Sequence, residues 1–316
     1  MKIFISIASY CDELLFYTIV DCIKKANKPE NFFFGVVDQN EKSQKSEIEK
    51  LGLSHHLRYI YINKLETLGV SWARNIAFSL FDDEEYLLQI DSHMLFENNW
   101  DITLINQYTD LKKISDKPVI STYPYDFSLD ENNNPSFNLP SDKYVLVLRP
   151  HPDTSLKEDN AVLRFRAEHK LSNAHVNGCH IAAGFIFTSS DFIHEVSYDP
   201  FLYFHGEEQS LSIRAYTKGW DIYHPNWIPL YHLYKKIDTE TSLHHWHKDV
   251  EAKRVLNSSY LRQRAIKRIN RLFYGDGMKN TSYGLGYTRS LDEFIKFSGI
   301  DYKNKVIHKM DLNTSL

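Results

Sequence analysis

The stretch YLLQIDSH, residues 86–93, decides how the chain is organised. Its apolar half predicts a buried strand, which ends abruptly at Asp91, Ser92 and His93. Residues two apart on an extended chain point the same way, so the Asp91 carboxylate and the His93 imidazole would face one point. Such a pair suits a divalent cation, Mn²⁺ or Mg²⁺. The alternative is a strand-end turn in which Asp91 accepts a backbone hydrogen bond.

Strand and helix patterns alternate through the first half of the chain. Strands are predicted at residues 3–8, 32–37, 57–62, 86–90 and 119–122, and helices at 12–25, 46–51, 71–80 and 100–111. This alternation predicts an α/β fold with a mostly parallel central sheet flanked by helices. Ligands of such sheets bind beyond the carboxyl ends of the strands, where we find Ser9, Asp38, Asn63 and Asp91.

The second half is less regular. Residues 126–141 are typical of a long surface loop. Further elements are predicted in this order: a strand at 181–188, a helix at 207–218, short strands at 220–223 and 230–234, and a long helix at 250–273. We therefore expect one main domain, residues 1–249, with a C-terminal helical extension, residues 250–316, packed on it.

Composition narrows the class of protein. Of the 316 residues, 42% are hydrophobic and 25% are charged, as in ordinary globular domains. The net charge of −4 gives no general attraction to nucleic acid, so no nucleic-acid partner is expected. Three cysteines without metal-ligand spacing indicate a reducing compartment. Because no apolar run fits a secretory signal or a transmembrane helix, we expect a cytoplasmic location.

Two glutamates open the helix predicted at residues 207–218. Glu207 and Glu208 follow Gly206, which permits close approach of the backbone to a ligand. Backbone N–H groups at a helix N-terminus stabilise a carboxylate, and this role accounts for one of the two glutamates. The other could accept hydrogen bonds from sugar hydroxyls. Both are therefore candidate functional residues.

Arg74 and His232 are further candidates. Arg74 lies near the start of a helix, where a guanidinium and backbone amides suit a diphosphate, although it could instead bridge to a carboxylate. His232 lies on a short strand after the Glu207 helix and could supply a third ligand to the cation. The histidines at residues 244–247 do not face one point, which disfavours zinc and favours a loop over the site.

The predicted C-terminal helix is basic. Cationic side chains flank an apolar stripe at helical spacing: Arg262, Arg264, Lys267, Arg268 and Arg271. Such a helix could contact an anionic membrane surface or an acidic acceptor. Its charges could equally be a solvated face, with the stripe packed on the core.

In the order of these motifs, the chain resembles the cytoplasmic GlcNAc-transferase family. One member of that family modifies a hydroxyproline on an F-box adaptor protein. The strings that carry the likeness are ISIASY at 5–10, ARNIA at 73–77, LQIDSH at 88–93, AGFIF at 183–187 and FHGEE at 204–208. The chain is more distantly similar to the polypeptide GalNAc-transferases, which also use an Asp-x-His motif. Their WGGEN motif is HGEEQ here, so the donor sugar cannot be copied from them.

The resemblance implies a GT-A-like fold over residues 1–249. It also implies a retaining transfer of GlcNAc from a UDP-sugar donor to a hydroxyl of a protein or glycan acceptor, with a divalent cation. By position, it implies metal ligands at Asp91, His93 and His232, catalytic roles for Glu207 and Glu208, and donor contacts at Ser9, Arg74, Asp91, Ser92 and Gly184. The alternatives are a non-catalytic sugar-nucleotide or glycan-binding module of the same fold, and a metal-dependent phosphohydrolase.

Overall fold

A computed structural model describes residues 1–53, 55–139, 144–234 and 244–309. The strands are β1 (Ile3–Tyr10), β2 (Phe32–Asn40), β3 (Leu57–Asn63), β4 (Tyr86–Ile90), β5 (Met94–Phe96), β6 (Pro118–Ser121), β7 (Tyr125–Leu129), β8 (Pro135–Phe137), β9 (Tyr144–Pro150), β10 (Phe165–Leu171), β11 (Val176–Gly178), β12 (Phe185–Ser189), β13 (Asp221–His224), β14 (Leu230–His232), β15 (Ile300–Asp301) and β16 (Val306–Ile307). The helices are α1 (Leu15–Lys25), α2 (Lys45–Glu49), α3 (Val70–Phe78), α4 (Trp100–Leu111), α5 (Asp191–Glu195), α6 (Glu207–Thr217), α7 (Lys248–Glu251), α8 (Ser258–Tyr274) and α9 (Leu291–Ser298).

The central sheet has the strand order β11-β13-β6-β12-β4-β1-β2-β3. Strand β1 runs parallel to β2 and β4, and β2 runs parallel to β3. Strand β12 is antiparallel to both of its neighbours, β4 and β6. The expected α/β fold with a parallel centre is therefore confirmed, with β12 as an antiparallel insertion next to the strand that carries Asp91.

Helices cover both faces of this sheet, which explains why its central strands are apolar throughout. Ile3, Ile5 and Ile7 of β1 pack in one cluster with residues of α1 and α4. Phe4 points to the other face and packs in a cluster with Leu211 of α6. Because successive side chains of a strand alternate between faces, β1 and β4 are fixed in register between two layers of helices.

A smaller sheet, β5-β14-β7-β8, lies at the carboxyl end of β4. It contains the hairpin β7–β8, so the loop predicted over residues 126–141 is wrong across these strands. The turn residues that suggested a loop form the hairpin turn, in which Asp130 accepts backbone hydrogen bonds from Asn132 and Asn134. Pro140 and Ser141 lie outside the described residues.

The C-terminal helices pack on the main domain. The helix predicted at residues 250–273 is two helices, α7 and α8, and the Asn257 side chain caps α8 by accepting from the backbone N–H of Tyr260 at 2.8 Å. The apolar stripe of α8 shares a buried cluster with Tyr203 and with Ile213 of α6. Residues 310–316 of the predicted extension lie outside the described part. Within that part, no helix has the length and apolarity needed to cross a bilayer.

Candidate active site

Asp91 is the first residue after β4 and lies at the centre of a polar cluster. Its Oδ1 accepts a hydrogen bond from Nη2 of Arg74 at 2.7 Å, and its Oδ2 lies 3.2 Å from Nε2 of His232. Burial disfavours the ionised form, but the hydrogen bond to His232 and the charge of Arg74 outweigh it and hold the pKa of Asp91 well below its ordinary value. Asp91 is therefore an ionised, oriented carboxylate.

The structure brings the three predicted metal ligands together. Asp91, His93 and His232 each offer an atom within 4.8 Å of the others. The pairing of β14 with β5 causes this, because it sets His232 opposite Met94, next to His93. Burial lowers the pKa of His232, which favours the neutral imidazole, the form that binds cations.

The cluster fits a divalent cation. One carboxylate oxygen and two imidazole nitrogens suit Mn²⁺ better than Mg²⁺, which prefers oxygen ligands alone. Gly184, just before β12, leaves room beside the carboxylate, since a Cβ there would lie 2.7 Å from Oδ2 of Asp91. The donor set and the absence of a side chain at Gly184 both agree with a bound ion at this position.

Arg74 of α3 holds two carboxylates. Besides its contact with Asp91, its Nη1 donates a hydrogen bond to Oε1 of Glu207, and its side chain is 6% exposed. Of the two roles that the sequence leaves open for Arg74, the bridge to a carboxylate is the one present. A contact with a diphosphate stays a prediction, and Arg74 first serves to orient Asp91.

The two glutamates at the start of α6 have different surroundings. Glu207 is buried, and burial raises its pKa above the ordinary value against the opposing charge of Arg74. The side chain of Glu208 is 33% exposed, and its Oε1 accepts from the backbone N–H of Ala183 at 2.8 Å. Although burial opposes ionisation, His180 and the Ala183 N–H lower the pKa of Glu208. Glu208 is thus the accessible, ionised member of the pair.

One protein-family model matches the sequence over residues 2–58 and 44–304, and it describes the glycosyltransferase (GlcNAc) family. The chain belongs to this family. No curated protein sequence matches it.

Two solved structures are similar to this GlcNAc glycosyltransferase family member. A crystal structure of GalNAc-T7 with UDP, GalNAc and Mn²⁺ matches with a TM-score of 0.54 at 14% identity, over 94% of this chain. This chain spans about half of that protein, 55% of its length. A crystal structure of S. aureus TarS residues 1–349 in complex with UDP-GlcNAc matches with a TM-score of 0.46 at 13% identity, over 87% of this chain and 73% of that chain. The match to GalNAc-T7 confirms the expected GT-A-like fold.

Two of the predicted donor contacts, Ser9 and Ser92, have buried hydroxyl groups. Ser9 is buried at the carboxyl end of β1, and within the described residues its Oγ has no hydrogen-bond partner. Ser92 is buried, and its Oγ donates to Oδ2 of Asp12 at 2.7 Å. Contact of either serine with a donor stays a prediction.

Asp12, His180 and Gln89 are site residues that the sequence patterns do not single out. Asp12 contacts His93, and His180 lies 3.8 Å from Oε2 of Glu208. Gln89 donates to the carbonyl of Ala183 at 2.5 Å, and so fixes the backbone that holds Glu208. A signal existed for Asp12, since it follows the carboxyl end of β1 as Asp91 follows β4. Nothing comparable pointed to His180 or Gln89.

Proposed function

We propose that this protein is a retaining glycosyltransferase that moves GlcNAc from a UDP-sugar to a hydroxyl of a protein or glycan acceptor, with a divalent cation, Mn²⁺ or Mg²⁺. The observation that carries the proposal is the meeting of Asp91, His93 and His232, with Glu208 held at the backbone of Ala183, next to the Gly184 that lies against Asp91. Membership of the GlcNAc glycosyltransferase family supports the choice of sugar.

The residues of the site suit a reaction in which negative charge develops on a leaving diphosphate. A cation held by Asp91, His93 and His232 would supply the positive charge that stabilises this leaving group. Arg74 keeps Asp91 oriented, so the carboxylate is in place as a ligand before any donor binds. This preorganisation lowers the cost of assembling the charged site.

Glu208 is proposed to orient the donor sugar or the acceptor. The bond between the sugar and the phosphate oxygen breaks, the acceptor oxygen forms the new bond on the same face, and the acceptor proton passes to the departing phosphate. No strong protein base is needed, which agrees with a Glu208 whose pKa is lowered. Mass spectrometry of protein incubated with donor tests this route, because a sugar trapped covalently on Glu208 would contradict it.

Release of UDP is the direct test of the activity. The protein incubated with UDP-GlcNAc and Mn²⁺ should release UDP, and UDP-GalNAc in a parallel reaction should give less. Asp91→Asn should lower the rate by on the order of 10²-fold, since it removes a charged group where charge develops. No release with either sugar would support the alternative, a sugar-nucleotide or glycan-binding module. Release that is unchanged in Asp91→Asn would overturn the site.

The stereochemical proposal has its own measurement. NMR of the glycosylated product identifies the anomeric configuration of the transferred sugar. The same configuration as in the UDP-sugar is expected, and an inverted one would overturn the retaining assignment while leaving the transferase activity intact.

The cellular location and the surface contacts are separate proposals. The cysteines Cys11, Cys22 and Cys179 are free, as a cytoplasmic location would require. In α8, Arg268 pairs with Asp199 and Arg271 pairs with Asp276, so any contact with an anionic membrane surface would depend on the exposed Arg262 and Lys267.

Cell fractionation tests the first of these proposals, and sedimentation with phosphatidylserine vesicles tests the second. Recovery with the secretory membranes would contradict the cytoplasmic location. Absence of vesicle binding at low salt would contradict the membrane contact.

A further inference from the structure

The carboxylate of Asp12 lies behind the predicted cation site. Asp12 is 3% exposed, and it occupies the turn between β1 and α1. Its Oδ1 accepts from the backbone N–H of Leu14 at 3.0 Å. Its Oδ2 accepts from Oγ of Ser92 at 2.7 Å and lies 2.5 Å from Nδ1 of His93. One buried carboxylate thus contacts both residues that follow Asp91.

The chemistry of these contacts fixes the state of His93. When Asp12 is ionised its carboxylate has acceptors only, and Nδ1 of His93 then carries a proton and donates it to Asp12. In a neutral imidazole the other nitrogen then has a free lone pair. Nε2 of His93 is left to bind a cation.

We propose that Asp12 is a positioning residue of the cation site, which holds His93 in the Nδ1-protonated tautomer and so presents Nε2 to the metal. This inference rests on the proposed function. Carboxylates that accept from the outer nitrogen of a ligating histidine orient the ring and increase its basicity.

Hydrogen bonds from α1 make this arrangement rigid. Oγ1 of Thr18 donates to the carbonyl of Ser92 at 2.8 Å, and the N–H of Met94 donates back to Thr18 at 2.9 Å. A further hydrogen bond comes from the residue before α2, since Nε2 of Gln44 donates to the carbonyl of Asp12 at 3.0 Å. The turn with Ser92 and His93 is therefore fastened to α1 on both sides of the histidine.

The second histidine ligand has no such partner among the described residues. Nδ1 of His232 is buried without a hydrogen-bond partner there, and its Nε2 faces Asp91. The rings of His93 and His232 lie 4.7 Å apart. Of the two imidazoles, His93 is the one whose ring is fixed by a carboxylate outside the ligand set, so the loss of Asp12 acts on the site through His93.

Metal affinity of a charge-neutral variant tests the role of Asp12. Asp12→Asn should weaken Mn²⁺ binding by about 10- to 100-fold, as measured by electron paramagnetic resonance of free Mn²⁺ during titration. Asp101→Asn is the matched control, because Asp101 is 2% exposed and accepts backbone hydrogen bonds from Asn27 and Lys28 at 2.9 and 3.0 Å, away from the cation ligands. This control should bind Mn²⁺ as the native protein does.

Native affinity in Asp12→Asn, or an equal loss in Asp101→Asn, would overturn the role of Asp12. Failure of the native protein itself to bind Mn²⁺ would instead overturn the cation site of the proposed function. The two failures are therefore distinguishable.

The tautomer gives a second test that needs no folded Asp12 variant. Nitrogen-15 NMR of histidine-labelled native protein without metal reports which ring nitrogen carries the proton, and His93→Gln assigns the signal by its loss. A signal for protonated Nδ1 and unprotonated Nε2 is expected. A proton on Nε2 of His93 would overturn the proposal even if every variant aggregated.

Discussion

Gly184 shapes the proposed cation site because it has no side chain. Its Cα lies so close to Asp91 that a Cβ would come within 2.7 Å of Oδ2, the oxygen next to His232. We predict that Gly184→Ala displaces this carboxylate and weakens Mn²⁺ binding by about tenfold or more. Titration of Mn²⁺ measures the loss, and the thermal midpoint of the metal-free variant shows whether the fold is kept. Unchanged affinity would mean that Asp91 can rotate away without effect.

Glu207 and Glu208 are adjacent, but substitutions of the two residues should have different effects. Glu207→Ala removes the buried group that accepts a hydrogen bond from the charged Arg74, and we expect it to cost about 1.5 to 3 kcal/mol of unfolding free energy. Glu208→Gln leaves that pair intact, and we expect roughly a 10²-fold loss of UDP release through misplaced substrate. Urea unfolding and UDP release on both variants measure the two effects. The reverse pattern would exchange the roles that the structure assigns to them.

At the scale of elements, the short segment before α7 is anchored under the carboxyl end of the sheet. His245 is buried, its Nε2 lies 2.9 Å from Oγ1 of Thr67, and its ring packs edge-on against Tyr10. The guanidinium of Arg254 contacts the same threonine. This anchor fixes the chain next to β1.

The His245 anchor should make stability depend on pH. Burial, with repulsion from Arg254, lowers the pKa of His245 from 6.5 to about 3. The unfolded chain therefore takes up a proton first as the pH falls, so the stabilising contribution is complete above pH 6.5 and is lost toward pH 3. We predict that His245→Gln reduces the fall in unfolding free energy across this range.

Urea titrations at a series of pH values measure this slope for the native protein and for His245→Gln. The difference between the two proteins at pH values above the titration of the unfolded histidine gives the packing effect alone. Parallel curves at lower pH would contradict the role of His245.

At the scale of the whole molecule, the C-terminal helices and the main domain share one core. Leu261, Ala265 and Ile269 of α8 lie in the same buried cluster as Tyr203 and Ile213. We predict a single cooperative transition in calorimetry, with equal calorimetric and van't Hoff enthalpies. Two resolved transitions would show that residues 250–309 unfold separately, as a division into two domains would allow.

The parts of the site that follow from local patterns are predictable from sequence. Asp91 and His93 are recognisable because a buried strand ends just before them, and His232 because it returns on a later strand. The sequence does not predict which carboxylates Arg74 contacts. Arg74 contacts both Asp91 and Glu207 only because α3 and α6 meet beside β4. The pairing of β9 with β10 also escapes prediction, because a long connection, residues 151–164, separates the two strands.

The pairing of β14 with β5 has a kinetic consequence. Asp91 and His232 are 141 residues apart in sequence, so the cluster forms only after a long stretch of chain has been ordered. Because loop closure over such a distance is costly, these contacts belong to the late side of the folding barrier. Mn²⁺ should therefore slow unfolding in stopped-flow experiments and leave the refolding rate unchanged. The ion would then stabilise the native state without stabilising the folding transition state. An accelerated refolding rate would instead show that the site is already formed in the folding nucleus.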